Sequence, residues 1–323
     1  MLKKRTAVIV ADASPRIGAG HVMRCLTLAT SLRNVGFECT LLSSEIPAPL
    51  RRRADSLGVR SVIRGERQSD PAIGSSVARL KPSLLVRDGY EFTVASTASL
   101  EALGIPMLVI DDNREAPIGH PKFLLNQNLH ASSEDYLDLD PTGLMLGPRW
   151  CLIREDIVAW RGRARRTAGP PVLISTGGAD PIGLRPLLAD YVRREGYEAC
   201  VAEGVMTETS ESRSFEELLA SSRLGILAAG STLWEAACLG LPTVAVISAP
   251  NQVQLAEKAE EHGICIALDG RSRGQLELVG RVVNGLLTNE ERMIEMSRAG
   301  QALIDGRGGQ RVADLIVETS GFN

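Results

Sequence analysis

The sequence predicts an α/β protein built from two doubly wound, parallel-sheet domains. Three observations lead there. Short apolar runs alternate with longer amphipathic segments, the alternation pauses once near the middle and then restarts, and 323 residues suit two domains better than one. Parallel strands are covered on both faces, so they read as continuous apolar runs.

Residues 6–11 read as the first strand and 21–35 as a helix ended by Gly36. Residues 39–43, 84–86 and 107–110 are further buried strands, the last two each preceded by a helical stretch. The pattern pauses between about residues 155 and 171, where Arg161-Gly-Arg-Ala-Arg-Arg-Thr-Ala-Gly-Pro-Pro is basic and broken by Gly and Pro. This segment reads as an interdomain linker. A nucleic-acid patch is the sharper reading, but interleaved aromatics are missing. The alternation restarts with strands at 172–175, 199–202, 224–228, 243–247 and 265–268, separated by helices that include 232–239 and 252–262. Residues 289–317 read as two helices broken near Gly306. The expected division is a first domain over 1–160, a linker over 161–171, a second domain over 172–305 and a final helix over 306–323. Such domains bind ligands at the carboxyl ends of their strands, so a cleft faced by both sheets is expected.

Composition narrows the function classes. Apolar residues make up 44%, charged residues 23% and aromatics 4%, which fits a water-soluble protein with an aliphatic core. With 36 Lys and Arg against 39 Asp and Glu, the net charge of −3 argues against a general nucleic-acid or membrane-surface binder. No apolar run approaches the roughly 20 residues of a membrane span, so no stable membrane insertion is expected. The basic start, Met-Leu-Lys-Lys-Arg, precedes too short an apolar stretch for a signal peptide, and Asp12 interrupts it. None of the six cysteines forms a Cys-x-x-Cys pair, and the four histidines show no ligand spacing with them. Buried free thiols, a cytoplasmic setting and no metal are the simplest account.

Three constellations carry chemistry. The first is Asp12-Ala-Ser-Pro-Arg-Ile-Gly18-Ala-Gly20-His21-Val-Met-Arg24, which follows the first strand and opens the first helix. Gly18 and Gly20 permit a tight turn and close approach of a ligand to the backbone. Free amides at the helix start favour an anion. The dinucleotide fingerprint is absent, since its third glycine would stand at Met23. A neutral imidazole at His21 can take a proton from water, or His21 merely closes the turn. The second constellation is Ser175-Thr-Gly177-Gly178-Ala-Asp180-Pro181, either a phosphate loop or an ordinary strand-to-helix turn. The third is Gly230-Ser231-Thr232-Leu-Trp-Glu235, where Ser231 or Thr232 caps a new helix. Glu235 completes a capping box or accepts hydrogen bonds from a ribose. Asn251 and Gln252 either cap the following helix or reach the same ligand. Asp88 with Tyr90, and the Asp111-Asp112 pair, stand at strand ends, where they bind sugar hydroxyls, polarise His21 or shape turns. Asn126-Gln-Asn reads as a loop first and a sugar contact second.

These segments together resemble a known family, the UDP-2,4-diacetamido-2,4,6-trideoxy-β-L-altropyranose hydrolases of pseudaminic acid biosynthesis. They are also similar to related spore-coat polysaccharide proteins. The resemblance rests on Asp12-Ala-Ser, Ile17-Gly-Ala-Gly-His-Val-Met-Arg-Cys-Leu, Asp88-Gly-Tyr90, Ile110-Asp-Asp and Leu124-Leu-Asn-Gln-Asn. It continues through Leu146-Gly-Pro, Leu152-Ile-Arg154, Gly177-Gly-Ala-Asp-Pro, Gly230-Ser-Thr-Leu-Trp-Glu235, Gly240-Leu-Pro242 and Asn251-Gln252. In this order they span residues 8–268.

The resemblance implies a GT-B fold and an enzyme that cleaves the anomeric C–O bond of a UDP-linked sugar with water. His21 is then the general base, and Asp12, Gly18, Gly20, Arg24, Asp88, Tyr90 and Asn126 lie on the sugar side. Gly177, Gly178, Asp180, Gly230, Ser231, Thr232, Glu235, Asn251 and Gln252 hold the nucleotide. No cofactor and no metal are implied. Two departures leave the sugar open: Val10 stands where the family usually carries arginine, and Trp150 where tyrosine is common. A GT-B glycosyltransferase with a sugar, lipid or natural-product acceptor is the second reading. A non-catalytic nucleotide-sugar binder is the third.

Overall fold

The structure is a computed structural model that describes residues 5–14, 17–163, 170–177, 180, 182–202 and 213–320. The chain divides into two compact units, Met1–Leu152 with Arg307–Asn323, and Ile153–Gly306.

In the first unit seven strands form one sheet: β1 (Arg5–Val10), β2 (Phe37–Ser43), β3 (Arg60–Ile63), β4 (Leu84–Asp88), β5 (Met107–Ile110), β6 (Phe123–Asn126) and β7 (Gly143–Leu146). Their order is β3-β2-β1-β4-β5-β6-β7, and every pairing is parallel. Helices α1 (Gly20–Asn34), α2 (Ala48–Ser56), α3 (Ile73–Arg79) and α4 (Val94–Glu101) make the crossovers. Strands β4, β5 and β6 are buried along their whole length, as a sheet covered on both faces requires. Each fully buried leucine of β4, Leu84 and Leu85, contributes roughly 1.5–3 kcal/mol. The strand order reverses between β1 and β4, the point in a doubly wound sheet where adjacent crossovers leave in opposite directions and open a crevice at the strand ends.

The second unit has five parallel strands, β8 (Val172–Ser175), β9 (Ala199–Val201), β10 (Leu224–Ala228), β11 (Thr243–Ile247) and β12 (Cys265–Asp269), in the order β12-β11-β10-β8-β9. Its helices are α5 (Glu155–Val158), α6 (Leu184–Arg194), α7 (Phe215–Ser221), α8 (Ser231–Leu239), α9 (Val253–Glu261), α10 (Arg273–Leu276), α11 (Val279–Leu287) and α12 (Glu290–Leu303). Here the order reverses between β8 and β10. One core cluster joins Val172, Ile174, Leu188, Ile226, Val244 and Val283.

The segment expected as a linker begins inside this second unit. The Arg161 guanidinium donates to the carbonyls of Cys238, Gln301 and Ile304, satisfying backbone acceptors at the ends of α8 and α12. Residues 164–169 lie outside the described residues.

The last helix, α13 (Gly308–Ser320), returns to the first unit and lies on α1 and β7. Two glycines make that contact possible. A Cβ at Gly308 would stand 2.2 Å from the Cys151 carbonyl oxygen, and one at Gly309 would stand 2.5 Å from Ser31 Oγ. No disulfide joins the six cysteines, five of which are buried. Among the described residues no helix is long and apolar enough to cross a membrane.

Because the obstacle at Gly308 is backbone, it cannot rotate away. Gly308→Ala is expected to lower stability by about 1–3 kcal/mol in urea titration. A variant as stable as the wild type would show that the start of α13 shifts freely away from the backbone of Trp150 and Cys151.

Candidate functional site

The first constellation comes together at the β1/β4 reversal. Helix α1 begins at Gly20, so His21 is its second residue and Arg24 follows one turn later on the same face. That face meets Asp88, the last residue of β4. His21 Nδ1 lies 2.7 Å from Asp88 Oδ1. With Nδ1 carrying the proton toward Asp88, the lone pair belongs to Nε2. Among the described residues Nε2 has no hydrogen-bond partner.

Arg24 bridges two carboxylates. Its Nε and Nη2 donate to Asp88 at 2.6 Å each, and Nη1 and Nη2 donate to Asp112 at 2.8 and 2.9 Å. Asp112 also accepts from Tyr90 Oη at 2.6 Å and from Asn128 Nδ2 at 2.8 Å. The Tyr90 ring stands edge-on to the His21 ring, with centroids 4.6 Å apart. Gly89 allows this turn. Its φ of +147° is one that side chains rarely adopt, and a Cβ there would meet the Gln68 amide, which itself donates to the Asp88 carbonyl at 3.1 Å.

Charge settles which forms these groups take. Burial alone would raise the Asp88 carboxyl, but Arg24 and His21 override it and hold the group below the ordinary carboxylate value. Asp112 is depressed in the same way, burial being overcome by Arg24. Burial and then the Asp112 charge push the Tyr90 phenol up, which keeps it a hydrogen-bond donor. One guanidinium thus faces two carboxylates, which leaves an excess of negative charge beside the His21 ring.

Two residues expected on the sugar side are buried and paired within the protein. The Asp12 carboxylate, only 2% exposed, pairs with Arg64 Nη2 at 3.0 Å and accepts from Ser44 N at 2.6 Å, tying the end of β1 to the ends of β2 and β3. Asn126 ends β6 rather than opening a loop. Its amide donates to the Asp112 carbonyl and Tyr136 Oη, and its oxygen accepts from Asn128, so it braces the Asp111–Asp112 turn. Gly18 closes a bridge with Ser14, and Gly20 is exposed at the helix start.

In the second unit the remaining constellations gather at the β8/β10 reversal, where Ser175 is in register with Leu227. Gly177 follows Thr176 with φ +84°. Gly178 lies outside the described residues. The Ser175 and Thr176 hydroxyls are buried and have no hydrogen-bond partner among the described residues. Asp180 caps α6, accepting from Leu184 N at 2.9 Å and Arg185 N at 3.1 Å.

The expected side-chain cap of α8 is absent. Gly230 is the N-cap in an extended conformation, and the helix takes in Ser231 and Thr232 as its first residues, so neither hydroxyl sits where a cap must. Those first-turn amides remain an electropositive end. Glu235 is not part of a capping box. Its carboxylate meets Arg154, at 2.7 Å to Nε and 3.2 Å to Nη2. Gln252 stands at the N-cap of α9, but its side chain makes no cap bond and folds back to accept from Ser248 N at 2.7 Å, while Asn251 is exposed. Arg64 and Tyr136 are partners to which no local pattern pointed, and Arg154 stood in the Leu152-Ile-Arg154 stretch without a role. No group of three His, Cys, Asp or Glu side chains among the described residues is placed to hold a metal.

No family model matches the chain. Over 176 residues it is 28% identical to the UDP-2,4-diacetamido-2,4,6-trideoxy-β-L-altropyranose hydrolase of Campylobacter jejuni, covering 52% of this chain and 59% of that protein. Over 275 residues it is 21% identical to an uncharacterized protein of Methanocaldococcus jannaschii, covering 76% of this chain and 56% of that one. The chain thus spans less than two thirds of the length of these curated relatives. Among solved structures, MurG of Acinetobacter baumannii superposes with a TM-score of 0.62 at 15% identity, over 98% of this chain and 100% of that one. MnaA of S. aureus with UDP gives 0.65 at 11%, over 99% and 98%. The spinosyn rhamnosyltransferase SpnG with thymidine diphosphate gives 0.63 at 18%, over 96% and 100%. These likenesses establish the GT-B fold.

Removing the Asp88 carboxylate leaves buried donors of His21 and Arg24 without an acceptor. Asp88→Ala is expected to cost roughly 1–3 kcal/mol at neutral pH. Because the folded-state pKa of Asp88 is depressed, its contribution is complete above the ordinary carboxylate value and is lost as pH falls through the lower folded value. The gap between wild type and variant in urea midpoints should therefore close in acid. A gap independent of pH would contradict the assignment.

Proposed function

From the premise that this chain belongs to the GT-B family of proteins like the UDP-sugar hydrolase, we propose that it hydrolyses a nucleotide-sugar, with His21 as general base. Water loses a proton to His21 Nε2 as its oxygen attacks the anomeric carbon. The anomeric C–O bond breaks, and its electron pair leaves with the diphosphate, so the products are UDP and the free sugar. The observation that carries this reading is the pairing of His21 Nδ1 with Asp88, which leaves Nε2 without a partner among the described residues. Asp88 orients the ring and faces the charge that develops on it, the role a carboxylate plays in other histidine-base sites.

Tyr90 and Arg24 support the reading as donors beside that base, held in place by Asp112. Asp12 and Asn126 act through their protein partners, shaping the loop and turn around the sugar. The second unit takes the nucleotide. The first-turn amides at Ser231 and Thr232, with the Ser175 and Thr176 hydroxyls that lack a partner among the described residues, suit a diphosphate and stabilise its charge as it leaves. Glu235 takes the ribose. The sugar class proposed is a UDP-linked amino or deoxy sugar, following the C. jejuni relative. Transfer to another acceptor is the second reading, favoured by the likeness to the rhamnosyltransferase SpnG along nearly the whole chain.

The test is release of free nucleotide from a panel of nucleotide-sugars with no acceptor present. Wild type should release UDP, and His21→Ala should be slower by about 10²–10⁴-fold. Binding without release from any donor would sink the hydrolase and favour transfer. Equal release by wild type and variant would remove His21 from the chemistry.

A further inference from the structure

Asp88 and Tyr90 meet His21 from the two sides of one glycine. Asp88 pairs with the ring at Nδ1, and Tyr90 stands edge-on to it. Between them Gly89, at φ +147°, has no Cβ to limit its backbone dihedrals. The directions in which the two side chains leave the backbone therefore depend on what holds the peptide joining Asp88 to Gly89. The register of β4 with β1 ends at Arg87, one residue before that peptide.

We propose that Gln68 is the positioning residue that holds this peptide and so aims Asp88 and Tyr90 at His21. This role rests on the reading of His21 as base and adds to it a residue that acts through Asp88.

Gln68 lies in the connection from β3 to α3, 20 residues before Asp88. It is 2% exposed. Its Nε2 donates to the Asp88 carbonyl at 3.1 Å. That acceptor decides which way the amide faces, since Oε1 has no proton to offer a carbonyl. The same amide occupies the space where a side chain at 89 would begin. A Cβ there would stand 2.2 Å from Oε1, 2.7 Å from Nε2 and 2.8 Å from Cδ. One buried side chain thus bonds the carbonyl before Gly89 and closes the space beside it.

The neighbouring backbone is anchored as well. The Ser69 carbonyl accepts from Thr93 Oγ1 at 3.1 Å, where Thr93 caps α4. On the other flank the Arg87 guanidinium donates to the Ile118 carbonyl at 2.8 Å. Gln68 supplies the anchor at the peptide between these two. An apolar side chain at 68 leaves a buried carbonyl without its donor and favours rotation of the peptide toward another. Such a rotation is magnified at the ends of the Asp88 and Tyr90 side chains.

The experiment compares wild type, Gln68→Met, Gln68→Ala and Thr93→Val in steady-state nucleotide release, in thermal melting and in the proton NMR signal of His21 Nδ1–H in isotope-labelled protein. Methionine keeps the bulk and loses the donor, and alanine loses both. Thr93→Val breaks the neighbouring bond between the same two segments and leaves the Asp88 carbonyl paired. The His21 signal lies downfield because its proton is held in a charge-assisted bond, and its loss in His21→Ala assigns it. Each Gln68 variant is expected to lower kcat by about 10–100-fold, with KM changed by about two-fold or less, and to shift or broaden the signal. Thr93→Val should lower the melting temperature and keep both kcat and the signal. An unchanged kcat or an unchanged signal in a folded Gln68 variant overturns the proposal. So does a loss of activity that Thr93→Val shares in proportion to its melting temperature. If wild type releases nucleotide from no donor, the base reading fails. The His21 signal then still tests whether Gln68 sets the His21–Asp88 pair, and a signal unmoved by the Gln68 variants overturns it.

Discussion

A guanidinium buried between two carboxylates has little freedom, because displacing it leaves two negative charges facing each other. Arg24 occupies that position, with Asp88 on one side and Asp112 on the other. The rest of the first unit's polar centre depends on it. Asp88 is kept ionised, so it accepts from His21; Asp112 is kept ionised, so it accepts from Tyr90 and Asn128. The two carboxylates come from the ends of neighbouring strands, β4 and the turn after β5, and Arg24 comes from the helix after β1. Three crossovers of the sheet are thereby fastened where the strand order reverses.

The second unit solves a related problem with the signs exchanged. Its reversal point holds a helix end without a side-chain cap and two hydroxyls without partners among the described residues. The acids nearby are turned onto Arg154. In each unit the acids near the reversal point are therefore gathered on one arginine of the same unit.

The central strands were legible because they are buried on both faces and carry unbroken apolar runs, as in residues 107–110, 172–175, 224–228 and 243–247. Strands β3 and β7 were not. Both are edge strands with exposed positions, Arg-Ser-Val-Ile and Gly-Leu-Met-Leu, and neither reads as a buried run. Asn126 was misread as loop because its polar side chain ends a buried strand. His21 and Arg24 were visible together, since three residues of helix put them on one face. The partners of Asp12 and Glu235 were not visible. Arg64 lies 52 residues from Asp12 and Arg154 lies 81 residues from Glu235, and no local periodicity records such distances. Spacing alone allowed a capping box at Thr232 and Glu235, but tertiary pairing with Arg154 took the carboxylate.

The return of α13 to the first unit bears on how the chain acquires its structure. The second unit is one continuous stretch, while the first is closed by a segment that follows it. A chain emerging from its N-terminus can complete the second unit while α1 still lacks the helix that covers it. The surface awaiting α13 includes the buried side of α1, the same helix that carries His21 and Arg24. In synthesis from the N-terminus, the unit that holds the proposed base can be finished only once α13 has emerged to cover the apolar face of α1.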